Sequence, residues 1–350
     1  MHVAGKVYGE GVKGITMDVS CIYNDTHTFC SKLKEKKIKY VKLFSGDGNT
    51  VLSKKDFEDF ITFLSKQDAF VVKIFKAAKF SFLKEITKYF YDEHQHFKNE
   101  MNGIKKMFSI YGDQVSKYTT LKTLTYNSKD FVGLQIKYED GPTTWATFSA
   151  KCSYDAADYK FTKNAMFDKF IIQTLESLII LQKHGYAHTD LKQNNIIYCD
   201  KEKAFKIIDW EMLKPLSWSK NHQYFANVSH NSPLGLYLYN VPKMLAFNIY
   251  NSANLKQYPK VYKSREYKHI SSMVNKQLTD AIKDKTHKQL FYKYKNNFDM
   301  FAIGMTYLHL LVKNKINTQQ YMPFIERLLL LDDNRFRSIE EAYTHFTSNR

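Results

Sequence analysis

In its first half, the chain alternates short runs of β-branched and aromatic residues with polar turns, which is the pattern of antiparallel strands. The runs predict strands over 38–44, 50–53, 69–75, 118–126 and 131–138. A helix is predicted over 96–108 from the spacing of Phe97, Met101, Ile104 and Phe108. This half of the chain is therefore expected to form a small antiparallel sheet with one helix.

In the second half, apolar residues recur mainly at helical spacing. One face of a predicted helix over 167–182 carries Phe167, Ile171, Leu175 and Leu178. Further helices are predicted over 299–312 and, as a pair, over 321–346. The exception is a short hairpin, predicted from strands at 196–198 and 204–208 with a polar turn between them. The chain as a whole is expected to be α+β.

Length and charge limit the classes of function. The 350 residues are enough for one large domain or two lobes with a buried core. Lys and Arg total 52 against 35 Asp and Glu, which gives a net charge of +17. Such a charge favours polyanionic partners, namely nucleotides, nucleic acid, acidic proteins or lipid headgroups, although a surface merely rich in lysine explains it equally well.

Neither the apolar runs nor the cysteines indicate a membrane or secreted protein. The longest apolar runs, such as 301–312, are too short to span a bilayer, and the first residues lack the apolar region of a signal peptide. Cys21, Cys30, Cys152 and Cys199 form no C-x-x-C pair and have no histidine at zinc-ligand spacing. We therefore expect no transmembrane segment, a reducing compartment and a cytoplasmic location.

The segment 188–209, HTDLKQNNIIYCDKEKAFKIID, carries the residue types that phosphoryl transfer requires. That reaction needs a carboxylate to orient the attacking hydroxyl, cations to neutralise the transferring group, and oxygen ligands for Mg²⁺. Asp190 is followed by Lys192, by Asn195 and, beyond the predicted hairpin, by Asp209. A hairpin at this place would bring Asn195 and Asp209 side by side.

These residues and their spacing resemble the H-R-D-L-x-x-x-N and D-F-G motifs of the protein kinase family. The resemblance implies that Asp190 is the catalytic base, that Lys192 reaches the γ-phosphate, and that Asn195 and Asp209 hold Mg²⁺. It also implies an α+β, two-lobed kinase-like fold, with a small antiparallel sheet lobe and a mainly helical large lobe. The D-L-K form is that of serine/threonine kinases, which implies ATP- and Mg-dependent transfer to protein hydroxyls.

The resemblance extends to the predicted strand over 69–75. Phe70-Val71-Val72-Lys73 stands where the family has V-A-I-K, which implies that Lys73 binds the α- and β-phosphates of ATP. The family pairs this lysine with a glutamate on the following helix, and Glu100 is the best candidate. Lys42, on the strand over 38–44, is the rival lysine.

Two glycine stretches compete for the loop that covers the phosphates. The first, Gly9-Glu10-Gly11-Val12-Lys13-Gly14, matches G-x-G-x-x-G literally, which alone is a weak signal. The second contains Gly46 and Gly48 and is followed by Val51. We favour the second as the ATP-binding loop, because it joins two predicted strands and lies closer to Lys73 in sequence. The first stays open as the alternative.

Two motifs outside the loops support the resemblance. Residues 299–304, DMFAIG, resemble the D-x-W-S-x-G helix start of the family, which implies that Asp299 binds backbone N–H groups of the catalytic loop. The alternative is a helix-capping aspartate. Residues 331–346 resemble the family's C-terminal ending, where Arg335 would pair with a buried glutamate, for which Glu266 is one guess. His188, Asp299 and Arg335 are thus expected to support the site.

The chain also departs from the family pattern. Thr189 replaces the arginine that usually senses a phosphate on the activation loop, so such a switch is not expected here. Trp210-Glu211 replaces the F-G that follows the metal aspartate. The resulting D-W-E also resembles the aminoglycoside and choline kinases, which phosphorylate small molecules.

The expected organisation has three parts. Residues 1–37 are an N-terminal extension or part of the small lobe, 38–140 the small lobe, and 141–350 the large lobe with a long insertion around 211–298. The insertions and composition are similar to those of kinases of large DNA viruses, and for a viral protein the expected location is the host cell cytoplasm or the virion. The expected partner is a protein substrate, with an acidic partner or nucleic acid as a further candidate for the basic surface. The alternative functions are a pseudokinase scaffold and a small-molecule phosphotransferase.

Overall fold

The structure is a computed structural model in which the chain divides into two compact units, residues 1–151 (unit 1) and 152–350 (unit 2). Its secondary structure is α+β, and every pair of neighbouring strands among the described residues is antiparallel. In the part of the chain that is described, no helix is both long and apolar enough to cross a membrane. The described residues are 7–10, 14–19, 38–45, 48–64, 66–67, 69–75, 93–140, 143–217, 261 and 263–350.

Unit 1 is built on a seven-stranded sheet with the spatial order β1-β2-β5-β9-β8-β3-β4. A separate hairpin of β6 and β7 lies beside it. The strands are β1 (Val7–Glu10), β2 (Gly14–Asp18), β3 (Ile38–Phe44), β4 (Asn49–Leu52), β5 (Phe70–Phe75), β6 (Leu124–Tyr126), β7 (Lys129–Phe131), β8 (Gly133–Tyr138) and β9 (Thr143–Ala150). The helices are α1 (Lys54–Leu64), α2 (Glu93–Tyr111) and the single turn α3 (Val115–Tyr118).

Alternation along β5 gives the sheet two different faces. Val72 and Ile74 join the hydrophobic core that Phe60 and Leu64 of α1 also enter. Each fully buried side chain of this kind contributes about 1.5–3 kcal/mol. On the opposite face, α2 packs against β5 and β9, with the Phe97 ring centroid 5.0 Å from that of Trp145. Lys73 alternates with Val72 and Ile74 along β5 and therefore belongs to this second face.

Most predicted elements of unit 1 are confirmed, with one clear error. The strands over 38–44 and 69–75 match β3 and β5, and the helix over 96–108 lies within α2. The strand predicted over 118–126 is only β6, because its first residue ends the helical turn α3. There the Thr119 hydroxyl donates to the Val115 carbonyl at 2.7 Å and closes the turn. The sequence reading also missed β1, β2, α1 and β9.

The division between the units falls later than the sequence suggested. The expected lobe boundary at 140/141 would separate β8 from β9, but these strands pair, with Gly133 opposite Thr147. β9 also pairs with β5. Because β9 lies between two strands of the same sheet, residues 143–151 belong to unit 1.

Unit 2 is mainly helical, with two small sheets that frame a loop region. The helices are α4 (Asn164–Lys183), α5 (Arg265–Ile282), α6 (His287–Tyr294), α7 (Phe298–Asn314), α8 (Thr318–Leu329) and α9 (Ile339–Ser348). The strands are β10 (Tyr154–Asp155), β12 (Ile196–Cys199) and β13 (Ala204–Ile207) in one sheet, and β11 (Tyr186–Ala187) and β14 (Lys214–Pro215) in the other. The predicted helices over 167–182, 299–312 and 321–346 are confirmed as α4, α7, and α8 with α9.

Helix α7 is the centre of unit 2 and is buried on all sides from Phe298 to Leu311. A hydrogen bond joins it to α4, with the hydroxyls of Thr174 and Tyr307 2.6 Å apart. On its other side Gly304 faces α8, where an added Cβ would lie 2.9 Å from the Leu328 Cβ. The glycine therefore lets the two helices approach closely.

Cys152 and Cys199 form a disulfide at the end of the β10–β12 ladder. The strand pairing places Tyr154 opposite Tyr198, and the Ser153 N–H donates to the Tyr198 carbonyl at 3.0 Å. The expectation of a reducing compartment rested on local cysteine spacing alone. The pairing that joins the two cysteines is tertiary, so spacing could not show it.

Reducing the Cys152–Cys199 disulfide is expected to destabilise unit 2. Closing a loop over a sequence separation of 47 residues restricts the unfolded chain, which corresponds to about 4 kcal/mol in the chain-entropy model. Thermal unfolding with and without a reductant should therefore differ by roughly 10 °C for a unit of this size. The control is Cys152→Ala, whose melting temperature should not respond to reductant. Equal melting temperatures for the oxidised and reduced wild type would contradict the expectation.

Candidate functional site

A loop over residues 188–195 connects β11 to β12 in unit 2, and the β12–β13 hairpin follows it directly. The hairpin is the one predicted from sequence, with Ile196 opposite Ile207. Beyond this pair, the Ile208 N–H donates to the Asn195 carbonyl at 2.9 Å. The ladder therefore holds Asn195 next to Ile208, and Asp209 follows immediately in the chain.

Among the described residues, the carboxylate of Asp190 is held through one of its two oxygens. Its Oδ2 accepts hydrogen bonds from the Lys192 ammonium at 2.8 Å and from the Asn195 amide at 3.0 Å. The same amide nitrogen also donates to the Asp190 carbonyl at 2.8 Å. Oδ1 takes part in none of these bonds. The arrangement fixes the side chain while leaving its second oxygen available to another hydrogen-bonding group.

The backbone before Asp190 is fixed by Asp299 from the first turn of α7. The Asp299 carboxylate accepts the backbone N–H of His188 at 2.6 Å and that of Thr189 at 3.0 Å. Burial raises the pKa of Asp299, and the charge interaction with His188 and the two backbone N–H groups lower it in opposition. The Asp299 carboxylate thus binds a loop that is far away in sequence. The N-cap position of α7 belongs instead to Asn297, whose side chain makes no cap bond.

His188 connects the loop to the segment that carries Asp209. The ring is fully buried, with Nε2 2.9 Å from the Ile208 carbonyl and Nδ1 accepting the Asp190 N–H at 3.3 Å. The ring centroid also lies 4.8 Å from that of Trp210. His188 therefore links the backbones on both sides of the candidate site in unit 2.

In unit 1, the structure brings the predicted pair Lys73 and Glu100 together. The ammonium of Lys73 on β5 lies 3.1 Å from Glu100 Oε2 on α2. Only 6% of the Glu100 side chain is exposed, and a carboxylate that is buried to this extent needs a cation beside it. The rival, Lys42, lies on β3 with its ammonium 5.5 Å from the Phe44 ring centroid.

The sheet places Gly48 and Val51, two of the residues expected in the phosphate-covering loop, away from the strand that carries Lys73. β9 and β8 lie between β5, which carries Lys73, and the β3–β4 hairpin. In the described part of that hairpin, the Ser45 N–H donates to the Gly48 carbonyl at 2.9 Å. Val51 is 59% exposed, and Gly46 lies outside the described residues. The choice assumed that neighbours in the chain are neighbours in the sheet.

The literal glycine stretch is the one that lies beside Lys73. It spans the β1–β2 hairpin, and β2 pairs directly with β5, with Thr16 opposite Lys73. An added Cβ on Gly14 would lie 2.7 Å from the Ile74 carbonyl oxygen, so this position requires glycine for strand packing alone. Residues 11–13, which contain the middle glycine, lie outside the described residues.

Arg335 does not meet the glutamate that the sequence suggested. Its guanidinium donates to the Asp332 carbonyl at 2.7 Å and lies 3.6 Å from the exposed carboxylate of Asp333. It also lies over the Tyr294 ring, 5.0 Å from the centroid. Glu266 lies in the first turn of α5 and is not among the partners of Arg335 in the described part of the chain. Arg335 also donates to the Lys293 carbonyl and to the Asn297 side-chain oxygen, both at 3.4 Å, and so anchors the connection between α6 and α7.

Sequence reasoning missed Asp155, which lies on β10 opposite Ile197 of β12. Burial raises the pKa of Asp155 to about 6; nearby Asp158 adds to this, and a hydrogen bond with the Asn194 side chain opposes it. Asn194 belongs to the 188–195 loop. No local signal marks Asp155, because its surroundings depend on the pairing of β10 with β12.

Comparison of the chain with protein-family models found no match, and comparison with curated proteins found none either.

Replacing Asp299 by Asn is expected to destabilise unit 2. The amide oxygen can accept one of the two backbone N–H groups, but the amide NH₂ would face the other donor. Leaving one buried donor unsatisfied costs about 1–3 kcal/mol. Urea unfolding should show a loss of this size. As the control, Asp333→Asn changes a carboxylate whose side chain is 94% exposed and should stay within about 0.5 kcal/mol of wild type. Equal stability of Asp299→Asn and wild type would rule out the anchoring role.

Replacing Asp155 by Asn should change how stability depends on pH. Because its pKa is raised from 3.8 to about 6, the folded chain binds more protons than the unfolded chain between these values. The wild type therefore loses stability as pH rises through this window, and the uncharged Asn does not. We expect Asp155→Asn to be more stable by on the order of 1 kcal/mol at pH 7 and to equal wild type near pH 4.

The free energy of unfolding is measured by chemical denaturation at each pH. Asp200→Asn, in the turn of the β12–β13 hairpin, is the control and should reproduce the wild-type profile. A stability difference between Asp155→Asn and wild type that stays constant from pH 4 to pH 7 would contradict the raised pKa.

Proposed function

We propose that this chain is an ATP- and Mg²⁺-dependent serine/threonine protein kinase with a two-lobed, kinase-like fold. The observation that carries the proposal is the geometry of the 188–195 loop. Lys192 and Asn195 hold one oxygen of the Asp190 carboxylate, and Asp299 holds the backbone immediately before it. A hydrogen-bonded carboxylate with one oxygen available and a lysine beside it is what transfer of a phosphoryl group to a hydroxyl requires.

In the proposed reaction, Asp190 Oδ1 accepts the proton of a serine or threonine hydroxyl on the protein substrate. The hydroxyl oxygen forms a bond to the γ-phosphorus of ATP as the bond to the bridging oxygen breaks, and ADP leaves. Lys192 lies 2.8 Å from Asp190 and supplies positive charge for the γ-phosphate oxygens. Most of the catalytic effect would come from position and charge, since little covalent chemistry is required of the protein.

Asn195 and Asp209 fit the ligand set of Mg²⁺. The two hydrogen bonds that the Asn195 side chain makes to Asp190 both come from its amide nitrogen, and its amide oxygen takes part in neither. Amide and carboxylate oxygens are hard ligands of the type Mg²⁺ prefers. The ion, when bound, neutralises charge on the nucleotide phosphates. Asp209 follows the residue that pairs with Asn195, which supports a shared role for the two side chains.

Lys73 and Glu100 support the proposal from unit 1. The glutamate holds the lysine ammonium at 3.1 Å, and 20% of the lysine side chain stays exposed. A lysine held in this way can donate to phosphate oxygens without losing its place. We assign to Lys73 the α- and β-phosphates of the nucleotide. The protein-substrate class rests on Lys192, because D-L-K is the form found in serine/threonine kinases.

Purified protein incubated with Mg²⁺ and ATP labelled on the γ-phosphate should label a generic protein substrate on serine or threonine. One basic and one acidic test protein cover the two simplest substrate classes. Asp190→Asn removes the proton acceptor and should lower the rate roughly 10²- to 10⁴-fold. Lys73→Met should lower the rate mainly by weakening nucleotide binding.

The control is Asp333→Asn, an exposed change in unit 2 that should leave the rate unchanged. Binding of Mg-ATP without transfer to any protein would refute the kinase proposal and favour a pseudokinase scaffold. Transfer to an aminoglycoside or to choline, with none to protein, would instead identify a small-molecule phosphotransferase. The acceptor is identified by separating labelled protein from labelled small molecules.

A further inference from the structure

Thr189 has a backbone conformation that β-branched residues rarely adopt. Its φ is +62°, in the left-handed region, where a branched side chain is a true outlier. The residue is 2% exposed. A strained backbone of this kind persists only when its surroundings fix it, and such strain is found mainly at functional sites. The contacts around Thr189 must therefore hold it in this conformation.

Two hydrogen bonds fix Thr189 from opposite sides. Its backbone N–H donates to Asp299 Oδ1 at 3.0 Å. Its hydroxyl donates to the Met212 carbonyl at 2.5 Å. Met212 ends a 3₁₀ turn that begins at Trp210, directly after Asp209. One side chain thus joins the loop that holds Asp190 to the turn that follows Asp209.

Asp209 immediately precedes this turn. It is the N-cap residue of the 3₁₀ turn and also has a left-handed φ, +68°. No side-chain bond caps the turn, and within it the Leu213 N–H donates to the Trp210 carbonyl at 3.2 Å. The Thr189 hydroxyl therefore ties the far end of the turn to the fixed loop and limits how Asp209 can rotate.

We propose that Thr189 is a positioning residue, whose hydroxyl holds the turn over residues 210–212 and thereby fixes Asp209 for Mg²⁺ without any modification of the chain. This inference rests on the proposed kinase function. It gives the position before Asp190 a role that needs no phosphate, because the partner of Thr189 is a backbone carbonyl already in place.

Two matched variants test the hydroxyl. Thr189→Val keeps the branched shape and removes the donor, whereas Thr189→Ser keeps the donor and removes the methyl group. Hydrogen–deuterium exchange of the backbone amides at 210–213 reports the turn directly and needs no ligand. Exchange there should be faster in Thr189→Val and close to wild type in Thr189→Ser.

Metal dependence is the second readout. The Mg²⁺ concentration for half-maximal binding of ATP should rise roughly three- to tenfold in Thr189→Val, because the competent conformation is populated less often. Thr189→Ser should restore the wild-type value. Wild-type protein treated with a phosphatase should keep its Mg²⁺ dependence. The melting temperatures of the variants are compared as well, since a purely structural role would lower stability without changing the metal dependence of the folded protein.

The failures of the two proposals can be told apart. If wild type binds Mg-ATP and Thr189→Val matches it in both exchange and Mg²⁺ dependence, the positioning role is wrong and the kinase proposal stands. A phosphatase effect on wild type would also overturn the positioning role as stated. If wild type binds no Mg-ATP, the kinase proposal and the metal role of Thr189 fail together, while exchange at 210–213 still decides whether the hydroxyl holds the turn.

Discussion

The carboxylate of Asp299 is the interaction on which the candidate site of unit 2 depends. It accepts two successive backbone N–H groups from the loop, at His188 and Thr189, and so sets the direction in which the chain enters Asp190. Helix α7, which carries the carboxylate, is buried along almost its whole length, and Gly304 lets α8 pack closely against it. Packing in the core thus fixes where the Asp299 carboxylate lies, and through it the path of the chain into Asp190.

What could be predicted from the sequence was local in character. The hairpin after Asn195 follows from two short β-prone runs and a polar turn, and the ladder then places Asn195 beside Ile208. The pairing of Lys73 with Glu100 required only a strand, a helix and the correct inward side of each. These features depend on periodicity and spacing, which a sequence displays directly.

What could not be predicted depends on which strands become neighbours. The β3–β4 hairpin with Gly48 lies far from β5 in the sheet, whereas Gly14 lies beside it, and no local pattern encodes that order. The disulfide and the surroundings of Asp155 both follow from the pairing of β10 with β12. Gly14 also shows that a glycine in a motif can be required by backbone packing alone, here against the Ile74 carbonyl.

The Cys152–Cys199 disulfide also changes the covalent topology of the chain. It turns residues 152–199 into a closed ring that contains α4 and the whole 188–195 loop. A single cut in the backbone anywhere inside this ring would leave both fragments attached to each other through sulfur. The segment that carries Asp190, Lys192 and Asn195 is thus also one in which a proteolytic nick would not release a fragment from the protein.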